Sequence, residues 1–237
     1  MRSVIFLGLL FAGLGWGQVG FSTSGYFGAG VTSGTVSVSG SNPLLIAELV
    51  CNGTGITASS MAWGSTNLTA AAVQPAGANQ YGRAFYAAVS AGSNTLAASI
   101  TGSMGTCYVS WAYYTGVGSV AQVLANTCTS VAGSSSEQCQ EGSITTTSTN
   151  GWIVNLVQSG STTGDTGSPQ IGGVNAGTVR ENVIPWIWDD GPLSPGSYTV
   201  SIYMCGYCGA AVFNSTMLEL APAGGSSAVI QSHLIIH

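Results

Sequence analysis

The chain has 237 residues, of which 45% are apolar and 5% charged, against about 25% charged in an ordinary soluble domain. Lysine is absent, the only cations outside the two histidines are Arg2, Arg83 and Arg180, and the net charge is −5. With no basic cluster to meet phosphates, nucleic acid is excluded as a partner. A surface of Gly, Ser, Thr, Ala and Asn has little charge repulsion to keep copies apart.

The first segment, "MRSVIFLGLLFAGLGWGQ", has one Arg, an apolar run and then small residues. It reads as a secretory signal over 1–17, cut after Gly17. The competing reading is an apolar N-terminal strand that stays attached. From there to residue 222 the pattern is β throughout. Short runs alternate apolar and polar residues, and Gly, Asn, Ser or Pro punctuates them. The first half offers strands at 34–42, 43–51, 81–89, 94–101 and 107–114. The second offers 142–150, 151–158, 183–188, 197–204, 209–214 and 216–222. The apolar tail "AVIQSHLIIH" (228–237) follows a Gly-Ser stretch within 223–237. It is a last strand, packed on its own sheet or added to a neighbour's edge.

The chain repeats itself. "SAGSNTLAAS" (90–99) matches "SPGSYTVSIY" (194–203), and "SNPLLIAELV" (41–50) matches "TNGWIVNLVQ" (149–158), at offsets of 104 and 108 residues. The repeating halves span about 34–115 and 140–222 of a body covering 18–222. The expected fold class is all-β: an antiparallel double-sheet, jelly-roll-like sandwich built from two similar halves. One continuous double sheet is preferred to two small sandwiches, because either half alone leaves unclosed edges.

The order "TVSVSGSNPLLIAELV…SMAWGSTNLT…RAFYAAVSAGSNTLAASI…CYVSWAYYTGV" resembles a jelly-roll domain common in bacterial secreted proteins and phage virion structural proteins. The likeness covers about 34–222. It implies a non-enzymatic β-sandwich on an exterior surface. The extra Cys and the missing Lys depart from that pattern.

The six cysteines are Cys51, Cys107, Cys128, Cys139, Cys205 and Cys208. An even count behind a signal segment reads as disulfides, and six allow 15 pairings. The local pairs are Cys128 with Cys139 and Cys205 with Cys208, leaving Cys51 and Cys107 to join two strands. The C-x-x-C at Cys205 lacks the helix that activates a redox dithiol, and it lacks the second knuckle of a zinc site. It reads as a loop staple, although two Cys flanking a tight turn are strained, and Cys205 could instead bridge to Cys107 or Cys51.

Catalysis finds little support. His233 and His237 lie in the tail, there is no G-x-S-x-G elbow, and a triad needs a histidine base. Glu48 and Glu219 fall inside strands and are expected on an outward face rather than across a cleft. The stretch "WDDGPLSPG" (188–196) reads as a turn rather than a calcium loop, since it lacks the D-x-D-x-D-G spacing. Trp186 and Trp188 share one strand face. They are either core or, with Asp189 and Asp190, an exposed glycan platform; Pro185 suggests an edge. Sequons at Asn52, Asn67 and Asn214 matter only in a host that glycosylates.

The expected function is a non-enzymatic, self-associating structural subunit of an exterior surface, such as a virion shell, a decoration protein or an extracellular filament. The alternative is a secreted carbohydrate-binding module or adhesin. Expected partners are copies of itself or other shell proteins, with carbohydrate under the alternative. No cofactor or metal is expected.

Overall fold

The computed structural model describes residues 17–52, 55–71, 74–75, 80–103, 105–129, 138–159, 168–171, 177–181, 185–203 and 212–224. Every regular element among them is a strand. The first half holds β1 (Gly20–Tyr26), β2 (Ser33–Val38), β3 (Leu44–Asn52), β4 (Gly55–Trp63), β5 (Thr66–Asn67), β6 (Thr69–Ala70), β7 (Gln74–Pro75), β8 (Gln80–Ala88), β9 (Gly92–Ser103) and β10 (Cys107–Thr115). The second holds β11 (Val117–Thr129), β12 (Gln138–Thr146), β13 (Gly151–Ser159), β14 (Ser168–Ile171), β15 (Thr178–Glu181), β16 (Trp186–Leu193), β17 (Gly196–Tyr203) and β18 (Val212–Pro222).

All pairings are antiparallel. In the first half, β1-β10-β3-β8-β6 form an inner sheet, with β7 also on β8, and β2-β9-β4-β5 form an outer one. The second half repeats this order: β11-β18-β13-β16-β15 inside and β12-β17-β14 outside. If the seven long strands of the first half and the short β5 are numbered in turn as eight, the inner order is 1-8-3-6 and the outer 2-7-4-5. That is the jelly-roll order. The internal repeat is therefore structural, and the antiparallel all-β sandwich class holds. Instead of one interleaved double sheet, each half closes its own sandwich.

The two sandwiches stack through their inner sheets, giving four layers. One core fills the first sandwich, with Leu45, Leu49 and Phe85 facing Val36, Met61 and Leu96. A second joins the halves: Leu44, Ile46, Ala112 and Tyr114 pack on Val154, Leu156, Leu218 and Leu220. A third fills the second sandwich, with Ile153, Trp186, Trp188 and Met217 against Ile144 and Val200. An inner sheet is thus buried on both faces, so its strands read as unbroken apolar runs. Every residue of β3 from Leu44 to Cys51 is buried. Outer strands keep an exposed face, most plainly in the exposed–buried alternation of β2. Strand β1 lies beside β15, and its counterpart β11 lies beside β7 on the opposite flank. Such an exchange is what an approximate two-fold relation between the halves produces.

Two turns repeat with the strands. Asn42 and Asn150 precede β3 and β13 at the same place in the repeat, and both are left-handed, with φ of 47° and 58°. Asparagine tolerates this region better than other non-glycine residues. Replacing either by alanine is expected to cost about 1–2 kcal/mol, read from urea unfolding midpoints, whereas glycine should be accepted. At the junction of the halves, Gly116 has φ +70°, and a Cβ there would run into the carbonyl oxygen of Gln18.

Candidate functional site

The outermost surfaces of the stack are the solvent faces of the two outer sheets. On the first, Ser33, Thr35 and Ser37 of β2 are exposed, as are Ser93, Thr95, Ser99 and Thr101 of β9. Thr35 pairs with Thr95 and Ser37 with Ser93, and Ser99 pairs with Ser60 of β4. These are ranks of hydroxyls in register, with alanines at Ala58, Ala62 and Ala97 between them. The Ser37 hydroxyl donates to the Ser93 Oγ at 3.0 Å. Strands β2, β4, β5 and β9 contain no charged residue. The second outer sheet repeats the theme, pairing Ser143 with Thr199 and Thr145 with Ser197.

Among the described side chains, three acids are buried inside: Glu48, Asp189 and Glu219. Glu48 and Glu219, expected on an outward face, are both 0% exposed. The reason is the four-layer stack, which leaves an inner sheet no outward face. Glu219 Oε1 accepts the amides of Thr147 at 2.7 Å and Ser148 at 2.9 Å, fixing the turn before β13. Asp189 ties the halves together. Its Oδ2 accepts from the Tyr114 hydroxyl of β10 and from Arg180 Nε of β15, both at 2.7 Å. The Arg180 guanidinium also lies 4.0 Å from the centre of the Phe21 ring of β1. Ser24 of β1 donates to the Arg180 carbonyl at 2.7 Å. Tyr114 in turn meets Phe21 and Trp152 edge to face.

Burial pushes the Asp189 carboxyl above its usual range, against the pull of Arg180 and Tyr114. Burial and the neighbouring carboxylate hold the Tyr114 phenol protonated well above its ordinary value. Asp190 is also raised, first by burial and then by the charge of Asp189, with the Gly191 amide opposing. Both acids therefore bind their protons more tightly when folded. Their contribution favours folding below the ordinary carboxylate range and is lost as pH rises through the raised folded values. Asp190→Asn is expected to flatten part of that fall, measured by thermal melts across the acidic range.

The glycan platform does not form. Trp186 and Trp188 are 6% and 2% exposed and pack in the third core. Strand β16 sits between β13 and β15, so Pro185 does not mark a sheet edge. Asp189 is spoken for by Tyr114 and Arg180, leaving Asp190 half-buried alone beside two enclosed indoles. Among the described residues no group of three or more His, Cys, Asp or Glu could hold a metal.

The bridge between strands is present. Cys51 and Cys107 form a disulfide at a register pair of β3 and β10. The backbones of Cys128 and Cys139 lie in β11 and β12, with side chains outside the described set, as are Cys205, Cys208, His233 and His237. Of the sequons, Asn67 is exposed in β5 and Asn52 is half-buried at the end of β3. Asn214 lies within β18, paired on both sides with β11 and β13. The Tyr114–Asp189–Arg180 cluster was not foreseen. Its one signal in the sequence is that Arg180 is among only three strong cations.

No family model, curated protein or solved structure matches the chain.

Proposed function

We propose that this protein is a non-enzymatic structural subunit of an exterior surface, assembling with copies of itself through the hydroxyl faces of its outer sheets. The observation that carries this reading is the uncharged, in-register Ser/Thr/Ala face of β2, β9 and β4. It offers backbone-like donors and acceptors to a partner and nothing to repel a second copy. The approximate two-fold places a similar face at the other end of the stack, so one subunit can contact two neighbours. The disulfide supports an oxidising compartment. The resemblance to jelly-roll domains of secreted and virion proteins points the same way, toward an exterior surface. Two buried acids support a structural role, since Glu219 holds a turn and Asp189 holds the seam between the halves.

The test is an arginine at the centre of the face. Thr95→Arg is expected to abolish multimers in light scattering while leaving the unfolding free energy within about 0.5 kcal/mol of the parent, as surface changes do. Multimers of unchanged size would remove the outer face from the interface.

A further inference from the structure

The two ends of the described body meet at one corner, beside a groove. The Ala223 amide donates to the Gly116 carbonyl at 2.8 Å. A Cβ on Gly17 would lie 3.1 Å from the Ala223 carbonyl oxygen. The groove, about 210 Å³, runs between the inner sheets and is walled by Leu44, Tyr86, Ala87, Ala88, Val117 and Val120, with Thr69 and Ser119 adding hydroxyls. Gly118 also lines it, and a Cβ on Gly118 would sit 2.9 Å from the Ala223 Cα. Residue 223 thus packs on the groove's own wall, and the chain leaves the body at its rim.

We propose that this groove is the docking site for the chain's own segment 228–236, "AVIQSHLII". Two observations on the molecule favour this occupant. The segment is mainly apolar, with Gln231, Ser232 and His233 at its middle, and carries no acid, which suits a wall of Leu, Val, Ala and a tyrosine ring with two hydroxyls. Its tether, 224–227, is a short Gly-Ser spacer that starts at the rim. A tether of that kind holds a ligand at millimolar effective concentration, so weak contacts suffice. Gly17 lies against Ala223 at the same corner, so residues 1–16 are the rival occupant, which the changes at Ile5 and Leu9 below test. The volume admits a few branched side chains rather than the whole segment, so Ile230 and Leu234 are the anchors to test. The proposal stands independently of assembly through the outer faces.

The experiment uses the full chain. Ile230→Asp with Leu234→Asp is expected to speed amide hydrogen exchange at Val117–Val120 and Tyr86–Ala88 by about tenfold, with β2, β4 and β9 unchanged. A synthetic peptide of residues 227–236 should bind that variant and restore the protection, yet not bind the unmodified chain, whose groove is filled. Val120→Asp, made from the groove side, should give the same faster exchange and bind no peptide. Unchanged exchange in the tail variant would overturn the proposal. So would peptide binding equally to both chains, or protection lost on changing Ile5 and Leu9 instead of the tail. Multimer size is read in parallel and is expected to be unaffected.

Discussion

Replacing Cys51 and Cys107 together by alanine is expected to lower the unfolding free energy by about 4 kcal/mol, the loop-entropy value for a bridge of this span. The two residues are 56 apart in sequence and directly opposed in the register of β3 and β10. Both are buried in the first core. Two effects therefore combine. The unfolded chain regains the freedom the bridge denies it, and the first sandwich loses two packed sulfurs. The bridge also lies toward the far ends of strands whose other ends, at Leu44 and Tyr114, enter the central core. Damage should therefore begin in the first sandwich and reach the seam second. Urea unfolding of the double variant, alongside the unmodified protein with and without reductant, measures this. A loss under about 1 kcal/mol would show that sheet burial alone fixes β3 against β10.

The second large effect is at the seam. Arg180→Ala leaves the Asp189 carboxylate, 1% exposed, without its cation. Removing one member of a buried ion pair typically costs about 3–5 kcal/mol. The Arg180 side chain is itself 20% exposed, which argues for the lower end of that range. Part of the loss is packing, since the guanidinium also covers Phe21. The variant should be rescued by acid: protonating Asp189 removes the stranded charge, so its deficit against the parent shrinks as pH falls. Adding Asp189→Asn should recover stability at neutral pH for the same reason. Tyr114→Phe is milder, because Arg180 still meets the carboxylate. If the Arg180→Ala deficit were the same at every pH, the cost would be packing and not charge.

The sequence carried the strands and the repeat clearly, because the outer sheets are half-exposed and keep the alternation that solvent on one side imposes. The Asn-then-apolar-strand echo even located both left-handed turns. Layering was harder to read. A strand such as β3 is apolar on both faces whether it lies between two sheets of one body or between two bodies, so the run "LLIAELVC" cannot distinguish a double sheet from a four-layer stack. The same ambiguity misplaced Glu48 and Glu219: a carboxylate in a strand suggests a solvent face, and here there was none. Trp186 and Trp188 do share one face, but which face depends on outer-sheet partners far away in sequence, Ile144 and Val200 among them. The Tyr114–Asp189 contact spans 75 residues, and no local spacing announces it.

Sedimentation of the full chain over a wide concentration range, at low and high salt, reaches the proposal of contact through neutral faces most directly. The expected result is concentration-dependent growth of a regular multimer that ionic strength barely alters, since hydroxyl and apolar contacts are not screened. A chain that stays monomeric at every concentration, or a multimer that salt dissolves, would contradict it.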